Sequence, residues 1–303
     1  MLLPFVLGLI ACGVGAYFAF PQAVSQFLTN LQRKAAGLTT KTVTVDDHSI
    51  VYLEGGQGDP LLLIHGFGAD CDAWPRLATH LNSRFHLVIP DLPGFGASSR
   101  IPTARYGLDE QLARLAAFCK AVGLKKFHIA GNSMGGYLAA HYAVRYPEQI
   151  SSLWLLAPAG VAGADKSDLQ AMLENGDNPL LIRSVADFQR ILRMCVAKPS
   201  YIPGAVVKTL AKRAIVDCDF HSKLFDELFA SAKPLEDALI GNPVPTLIQW
   251  GDKDRLLHYS GAEILHRMLP NSRVFLMPDT GHVPMQEAPE DSAKAYLDFQ
   301  LNQ

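Results

Sequence analysis

Residues 127–136 read FHIAGNSMGG. The run opens as an apolar strand at 127–130 and continues into a helix that begins around Gly135. Between them lies the pattern Gly-x-Ser-x-Gly, centred on Ser133. A serine in this position sits on a sharp turn that only small neighbours permit, and the turn pushes its hydroxyl out of the sheet. The stretch therefore predicts an α/β domain with Ser133 as a nucleophile.

Strands and helices alternate on both sides of this turn, as in a mostly parallel sheet covered by helices on two faces. The predicted strands are residues 41–45, 49–54, 61–65, 85–90, 127–130, 153–157, 246–250 and 273–277. The predicted helices between them are residues 108–122, 135–146, 261–268 and 289–301. The sequence thus indicates a sheet of eight strands.

The alternation stops between residues 160 and 242, where apolar positions keep helical spacing and no strand pattern is visible. We expect this segment to be a helical cap over one end of the sheet. No internal repeat or low-complexity linker divides the chain. Residues 39–303 are therefore predicted to form one catalytic domain that carries the cap as an insertion.

A serine hydroxyl needs a base to take its proton and an acid to orient that base. His282 follows the last predicted strand in Asp279-Thr280-Gly281-His282, and Asp254 follows the strand before it. Both lie where strand ends would bring them beside Ser133. Asp252 is the alternative acid and His258 the alternative base, since they lie in the same late loop.

The reaction also needs hydrogen-bond donors for the oxyanion that forms during attack on a carbonyl. Glycines flank Phe67 in His65-Gly66-Phe67-Gly68 and free its backbone N–H. Together with the N–H of Met134, which follows the nucleophile, this predicts an oxyanion hole with two donors. The alternative is a glycine-rich turn with a purely structural role.

Composition narrows the class of protein. Hydrophobic residues make up 49% of the chain and charged residues 18%, as in an ordered globular protein. The net charge of -2 and the lack of a basic tract predict no nucleic-acid binding. The five cysteines show neither a Cys-x-x-Cys pair nor a cluster with histidines, so we expect free thiols and no metal. They are Cys12, Cys71, Cys119, Cys195 and Cys218.

Residues 1–20 contain no charged side chain, and as a helix they would be about 30 Å long, the thickness of a bilayer's hydrocarbon core. We expect a single-pass transmembrane anchor. A cleaved signal peptide would carry basic residues ahead of a shorter apolar run. A lipoprotein cleavage box at residues 9–12 is the other alternative, but apolar residues continue for two turns beyond it.

Residues 21–38 repeat apolar side chains at helical spacing and predict an amphipathic helix after the anchor. Its apolar stripe could lie on the membrane surface, pack on the catalytic domain or pair with a second copy. Small residues recur every four positions at Ala11, Gly15 and Ala19, which suggests a homodimer through the anchor. Basic residues follow the anchor and none precedes it, a bias that would place the catalytic domain in the cytoplasm.

Taken together, these motifs resemble those of the α/β-hydrolases. The likeness rests on residues 65–68, the run Asp91-Leu92-Pro93-Gly94-Phe95-Gly96, the serine turn and the two late loops, and it covers nearly everything from Lys41 onward. Within the family, the sequence is most similar to monoacylglycerol lipases and bacterial lipases, including membrane-anchored phospholipases A that join an apolar amino-terminal helix to this domain. Cap residues 178–182 and 198–203 resemble that branch too.

The resemblance implies that the substrates are phospholipid, lysophospholipid or monoacylglycerol esters and that the enzyme uses no metal or organic cofactor. It also implies that the partners are membrane lipids and fatty-acid products. In bacterial members of this kind the catalytic domain lies outside the cytoplasm, so a periplasmic face of the inner membrane is expected, against the charge bias.

Two other functions fit parts of the sequence. Hydrolases of carbon–carbon bonds in ring-cleavage products often share the Gly-Asn-Ser-Met-Gly-Gly turn, but they are soluble and usually place a tryptophan soon after the histidine, where this chain has Val283-Pro284-Met285. A non-catalytic lipid-binding protein could retain the fold alone. The intact serine, acid and histidine argue against that second alternative.

Overall fold

An eight-stranded sheet forms the centre of the computed structural model, which describes residues 20–199, 202, 204–230 and 232–302. Its order is β1-β2-β4-β3-β5-β6-β7-β8. The first two strands and the β2–β4 pair are antiparallel, and all later neighbours are parallel. The strands are β1 (Leu38–Val45), β2 (His48–Gly56), β3 (Asp59–Ile64), β4 (Phe85–Pro90), β5 (Phe127–Ser133), β6 (Ile150–Pro158), β7 (Thr246–Gly251) and β8 (Ser272–Met277).

Helices flank the sheet and cap one of its ends. They are α1 (Pro21–Ala35), α2 (Pro75–Leu81), α3 (Leu108–Ala121), α4 (Met134–Arg145), α5 (Asp168–Glu174), α6 (Val185–Cys195), α7 (Gly204–Val216), α8 (Cys218–Phe229), α9 (Leu235–Leu239), α10 (Gly261–Met268), α11 (Pro284–Glu287) and α12 (Pro289–Leu301). Helices α5 to α9 lie between β6 and β7, in the segment where the sequence predicts a cap. The predicted fold, an α/β-hydrolase sheet of eight mostly parallel strands, is confirmed.

The two faces of the sheet are buried under different helices because side chains alternate along each strand. On β3, Leu62 and Ile64 join the core beneath α3, α4 and α10. Leu61 and Leu63 point the other way, into the core beneath α2 and α12. Because both faces are buried, the central strands appear in the sequence as nearly continuous runs of apolar residues.

The serine turn between β5 and α4 is held in a strained backbone. Ser133 has φ 57° and ψ -120°, a region that side-chain-bearing residues rarely adopt. A Cβ at Gly131 would lie 2.1 Å from the Gly135 carbonyl oxygen, and a Cβ at Gly135 would lie 2.2 Å from the Ile64 carbonyl oxygen. Both glycines of the motif are therefore required by close backbone approach.

Helix α1 leaves an apolar face in solvent. Phe27 is 64% exposed and Leu31 52% exposed, and Phe20 before the helix is 66% exposed. Arg33 near the end of α1 holds the helix to the domain through two hydrogen bonds to the Asp72 carboxylate, at 2.6 and 2.7 Å. The helix ends at Ala35, short of the predicted 38, because Gly37 takes φ 66° and Leu38 begins β1.

The predicted transmembrane anchor lies outside the described residues, apart from Phe20. Among the residues that are described, no helix combines the length and apolarity needed to cross a bilayer. In the same part of the chain, no group of three or more histidine, cysteine or acidic side chains is arranged to hold a metal ion.

Candidate active site

The serine turn lies at the carboxyl end of β5, in the middle of the sheet. Its Asn132 side chain donates to the Leu156 carbonyl on the neighbouring strand (3.0 Å) and to the His282 carbonyl (2.9 Å). The Ala159 N–H donates to the Ser133 carbonyl (3.0 Å). Asn132 therefore links the backbone of the turn directly to the loop that carries His282.

The predicted acid and base are hydrogen-bonded to each other. Nδ1 of His282 lies 2.7 Å from Oδ2 of Asp254, and both side chains are buried, with exposures of 5% and 0%. Because the carboxylate accepts a hydrogen bond from the Nδ1–H group, the neutral imidazole keeps its lone pair on Nε2. This is the tautomer that can accept a proton from a serine hydroxyl.

Both oxygens of the Asp254 carboxylate accept hydrogen bonds from nearby N–H groups. The indole N–H of Trp250 donates to Oδ2 (3.1 Å), and the N–H groups of Leu256 and Leu257 donate to Oδ1 (2.8 and 3.0 Å). These bonds stabilise a buried charge that would otherwise be costly. They also fix the carboxylate in one orientation toward His282.

The alternative acid and base lie elsewhere. Asp252 is partly exposed and pairs with Lys253 at 3.1 Å. His258 is partly exposed, with Nδ1 2.9 Å from the Ser260 hydroxyl and 3.6 Å from the Asp165 carboxylate. Neither residue is bonded to His282 or Ser133, so the structure favours Asp254 and His282.

Ser133 is partly exposed, and its hydroxyl makes no hydrogen bond to any described residue, His282 included. In hydrolases such bonds are often long or poorly aligned before substrate binds and tighten only in the complex. The structure thus joins Asp254 to His282 and leaves the Ser133 hydroxyl without a hydrogen bond to a described residue.

The glycine-rich loop after β3 is held by a buried histidine. His65 donates from Nδ1 to the Gly66 carbonyl (2.8 Å), and its Nε2 accepts the Leu92 N–H (3.0 Å). Burial lowers the pKa of His65, in keeping with a neutral ring whose two nitrogens both form hydrogen bonds with backbone groups. A Cβ at Gly66 would lie 3.3 Å from the Ser133 Cβ, so this loop is packed against the serine turn.

Two backbone donors near Ser133 are unused. Within the described part of the chain, neither the Phe67 N–H nor the Met134 N–H donates a hydrogen bond. Met134 is the first residue of α4, where the N–H groups have no partner inside the helix. Free N–H donors near a serine are the arrangement that an oxyanion hole requires.

The loop that carries His282 is tied to the cap by contacts that sequence reasoning missed. The Glu287 carboxylate accepts the N–H groups of Gly281 (2.9 Å) and Ala197 (2.7 Å). The His282 N–H donates to the Cys195 carbonyl (2.8 Å). Burial, together with the nearby Asp254, raises the pKa of Glu287. Nothing in the sequence pattern signals that residues 195–197 of the cap contact this loop.

An aromatic cluster covers the other side of the site. The Phe67 ring contacts Phe95 at 5.4 Å, Phe225 at 5.6 Å and His221 at 5.7 Å between ring centroids. Phe225 and His221 belong to cap helix α8. Nε2 of His221 is buried without a hydrogen-bond partner, and burial lowers the pKa of this histidine to about 4.

Replacing His221 by methionine should make the protein less sensitive to acid. A histidine with an ordinary pKa of 6.5 unfolded and about 4 folded destabilises the native state as pH falls from 6.5 toward 4, because only the unfolded chain takes up the proton. The expected loss is about 2 kcal/mol at pH 5. Urea unfolding at pH 7 and pH 5 measures it. Equal losses of stability in wild type and His221→Met would contradict this account.

Comparison with known proteins agrees with the fold. The family model for the α/β hydrolase fold matches residues 59–289. Lipase 3 of Moraxella sp. (strain TA144) is 39% identical over 282 residues, covering 91% of this chain and 89% of that protein. Lipase 1 of Psychrobacter immobilis is 37% identical over 302 residues, covering 97% of this chain and 94% of that protein.

A solved structure is similar over almost the whole length. The crystal structure of a membrane phospholipase A described as a bacterial virulence factor superposes with a TM-score of 0.90 at 42% sequence identity, covering 99% of this chain and 97% of that one. With the family model matched over most of the chain and relatives above 30% identity, the resemblance expected from the motifs is confirmed. The chain belongs to the α/β-hydrolase family and is a hydrolase.

Proposed function

We propose that this protein is a membrane-anchored serine hydrolase of lipid esters, with Ser133 as nucleophile, His282 as base and Asp254 as the acid that orients it. The observation that carries the proposal is the 2.7 Å hydrogen bond from His282 to Asp254, on a loop that Asn132 ties to the serine turn. The lipases and the phospholipase A to which the chain is similar support a lipid ester as substrate.

The reaction proceeds in two steps. His282 takes the Ser133 proton at Nε2 as the serine oxygen attacks the ester carbonyl, while the Phe67 and Met134 N–H groups stabilise the oxyanion. His282 then returns the proton to the leaving alcohol, which leaves an acyl-enzyme. Water, deprotonated by the same imidazole, attacks the acyl-enzyme carbonyl. As the bond to the Ser133 oxygen breaks, the imidazolium returns the proton to that oxygen and the fatty acid is released.

The first test is covalent labelling. A fluorophosphonate probe should attach to Ser133, located by mass spectrometry of the labelled peptide. Turnover of monoacylglycerols, lysophospholipids, diacyl phospholipids and p-nitrophenyl esters by the detergent-solubilised protein then ranks the substrates. Absence of labelling in folded protein would favour a non-catalytic lipid-binding protein, and turnover of ring-cleavage products alone would favour a carbon–carbon bond hydrolase.

We propose further that residues 1–20 anchor the chain and that α1 lies against lipid. The exposed apolar side chains of α1 point away from the domain, to which Arg33 holds the helix. Carbonate washing should leave the full chain in membranes and release a chain that starts at Phe20.

In the shorter chain, Phe27→Gln with Leu31→Gln should weaken flotation with vesicles at least tenfold, since each buried side chain contributes about 2 kcal/mol. Unchanged flotation would contradict this role for α1.

The proposal also places the catalytic domain on one side of the membrane and assigns an oligomeric state. The resemblance to bacterial membrane phospholipases A supports a periplasmic catalytic domain, and the small residues at 11, 15 and 19 support a homodimer. Protease protection in spheroplasts tests the first statement, and chemical crosslinking in native membranes tests the second.

A further inference from the structure

The loop that carries His282 is fixed to the catalytic domain at two backbone carbonyls. The Lys253 N–H, next to the acid, donates to the Thr280 carbonyl (2.9 Å). The Asn132 side chain donates to the His282 carbonyl (2.9 Å). These bonds join the loop to the acid loop and to the serine turn, but they leave its N–H groups to be bound from another direction.

The N–H groups of the same loop are bound from the side of the cap. The His282 N–H donates to the Cys195 carbonyl (2.8 Å). The Gly281 N–H donates to Oε1 of Glu287 (2.9 Å), and the other oxygen of that carboxylate, Oε2, accepts the N–H of Ala197 in the cap (2.7 Å). One carboxylate therefore bridges the cap and the residue next to the catalytic base.

The bridge lies where the two backbones are in direct contact. A Cβ at Gly281 would lie 2.7 Å from the Cys195 carbonyl oxygen, 2.8 Å from the Ala197 nitrogen and 2.8 Å from Oε1 of Glu287. No side chain fits at that position, so glycine is required there. Any shift of the cap backbone or of the Glu287 carboxylate would be passed on to the backbone of the His282 loop.

A carboxylate is an unfavourable group to place at this contact. Burial, together with the charge of Asp254, raises the pKa of Glu287. Among the described residues, no lysine or arginine forms an ion pair with Glu287, and the two backbone N–H groups stabilise its charge. An apolar side chain could fill the same space, but it could not accept hydrogen bonds from two backbones at once.

We propose that Glu287 is a positioning residue for the catalytic base: its carboxylate holds the His282 loop against the cap and so keeps Nε2 of His282 within reach of Ser133. The inference rests on the function proposed above, in which His282 takes the Ser133 proton. Gly281 is the residue next to His282, so the loss of its bond acts directly on the backbone that carries the ring. A displacement of about 1 Å in a reacting group can slow a reaction about 10²-fold.

The test compares kcat and KM of the detergent-solubilised full chain on p-nitrophenyl butyrate. Glu287→Ala should lower kcat about 10²-fold and leave KM within a few-fold of wild type, because the base acts in the chemical step. Glu287→Gln keeps the size of the side chain and one acceptor oxygen, so its loss should be smaller, about tenfold. Thermal melting of each variant shows whether it is folded.

A substitution in the cap tests the bridge separately. Ala197→Pro removes the N–H that Glu287 accepts from the cap, and the extended backbone of Val196 (φ -121°, ψ 144°) suits a residue that precedes proline. Alone it should lower kcat about tenfold. Added to Glu287→Ala it should cause little further loss, because the partner is already gone. Losses that multiply in the double variant would overturn the bridge.

Glu290→Ala is the matched control, since it removes a carboxylate from the exposed first turn of α12 and should leave kcat and KM unchanged. If Glu287→Ala and Glu287→Gln keep the wild-type kcat, whatever their melting temperatures, Glu287 has at most a structural role. This inference is then overturned, while the proposed function stands as long as hydrolysis requires Ser133. If Ser133→Ala hydrolyses the ester within tenfold of the wild-type rate, the proposed function fails, and this inference with it.

Discussion

Replacing Ser133 by alanine is expected to lower kcat by about 10⁴-fold to 10⁶-fold, the range seen when a serine nucleophile is removed. Folding should be unaffected, because the Ser133 hydroxyl has no hydrogen bond to a described residue and alanine keeps the Cβ packed near Gly66. Initial rates on a p-nitrophenyl ester, together with thermal melting, measure both effects. Residual activity within tenfold of wild type would reject Ser133 as nucleophile.

A second substitution at the same position separates catalysis from backbone strain. Ser133→Gly should be as inactive as the alanine variant, yet more stable than wild type by about 1 to 3 kcal/mol, because glycine adopts φ 57° without a Cβ penalty. Equal stability of the glycine and alanine variants would show that the turn stores no such strain.

Asp254→Asn is expected to lower kcat by about 10⁴-fold, the loss found when the acid of a serine triad becomes an amide. The asparagine amide would donate to Nδ1 of His282 and leave the proton on Nε2, so the imidazole could no longer accept the serine proton. Steady-state rates on the same ester measure the change.

Asp252→Asn provides the matched control for the acid. Asp252 pairs with Lys253 at the surface and is not bonded to His282, so its amide variant should keep kcat within a few-fold of wild type. If the two variants lost activity equally, or if Asp252→Asn lost more, the assignment of Asp254 would be wrong.

Most of the fold can be predicted from the sequence because the local patterns all indicate the same arrangement of strands and helices. The glycines at 131 and 135 allow only one kind of turn, and all eight predicted strands match observed ones to within three residues at each end. The short helix α2 escaped detection because Pro75–Leu81 is too short to show a period. The cap helices keep helical spacing, but their ends depend on contacts with the domain beneath.

The sequence alone predicts only part of the candidate site. Chain order and strand exits point to residues 254 and 282, yet they cannot distinguish Asp254 from Asp252, since both follow the same strand. The structure favours Asp254 because its carboxylate is bonded to His282. The donors at Trp250, Leu256 and Leu257, which the folded loop brings together, hold the carboxylate in that position. The supporting roles of Asn132 and Glu287 depend on contacts across long separations, which no local pattern reveals.

The bond between the Cys195 carbonyl and the His282 N–H has a consequence for how the protein admits a bulky lipid. A cap that moved away as one rigid body would break the bonds that join residues 195–197 to the loop of His282. Any motion that leaves the His282 ring in place must therefore keep this short stretch of the cap against that loop.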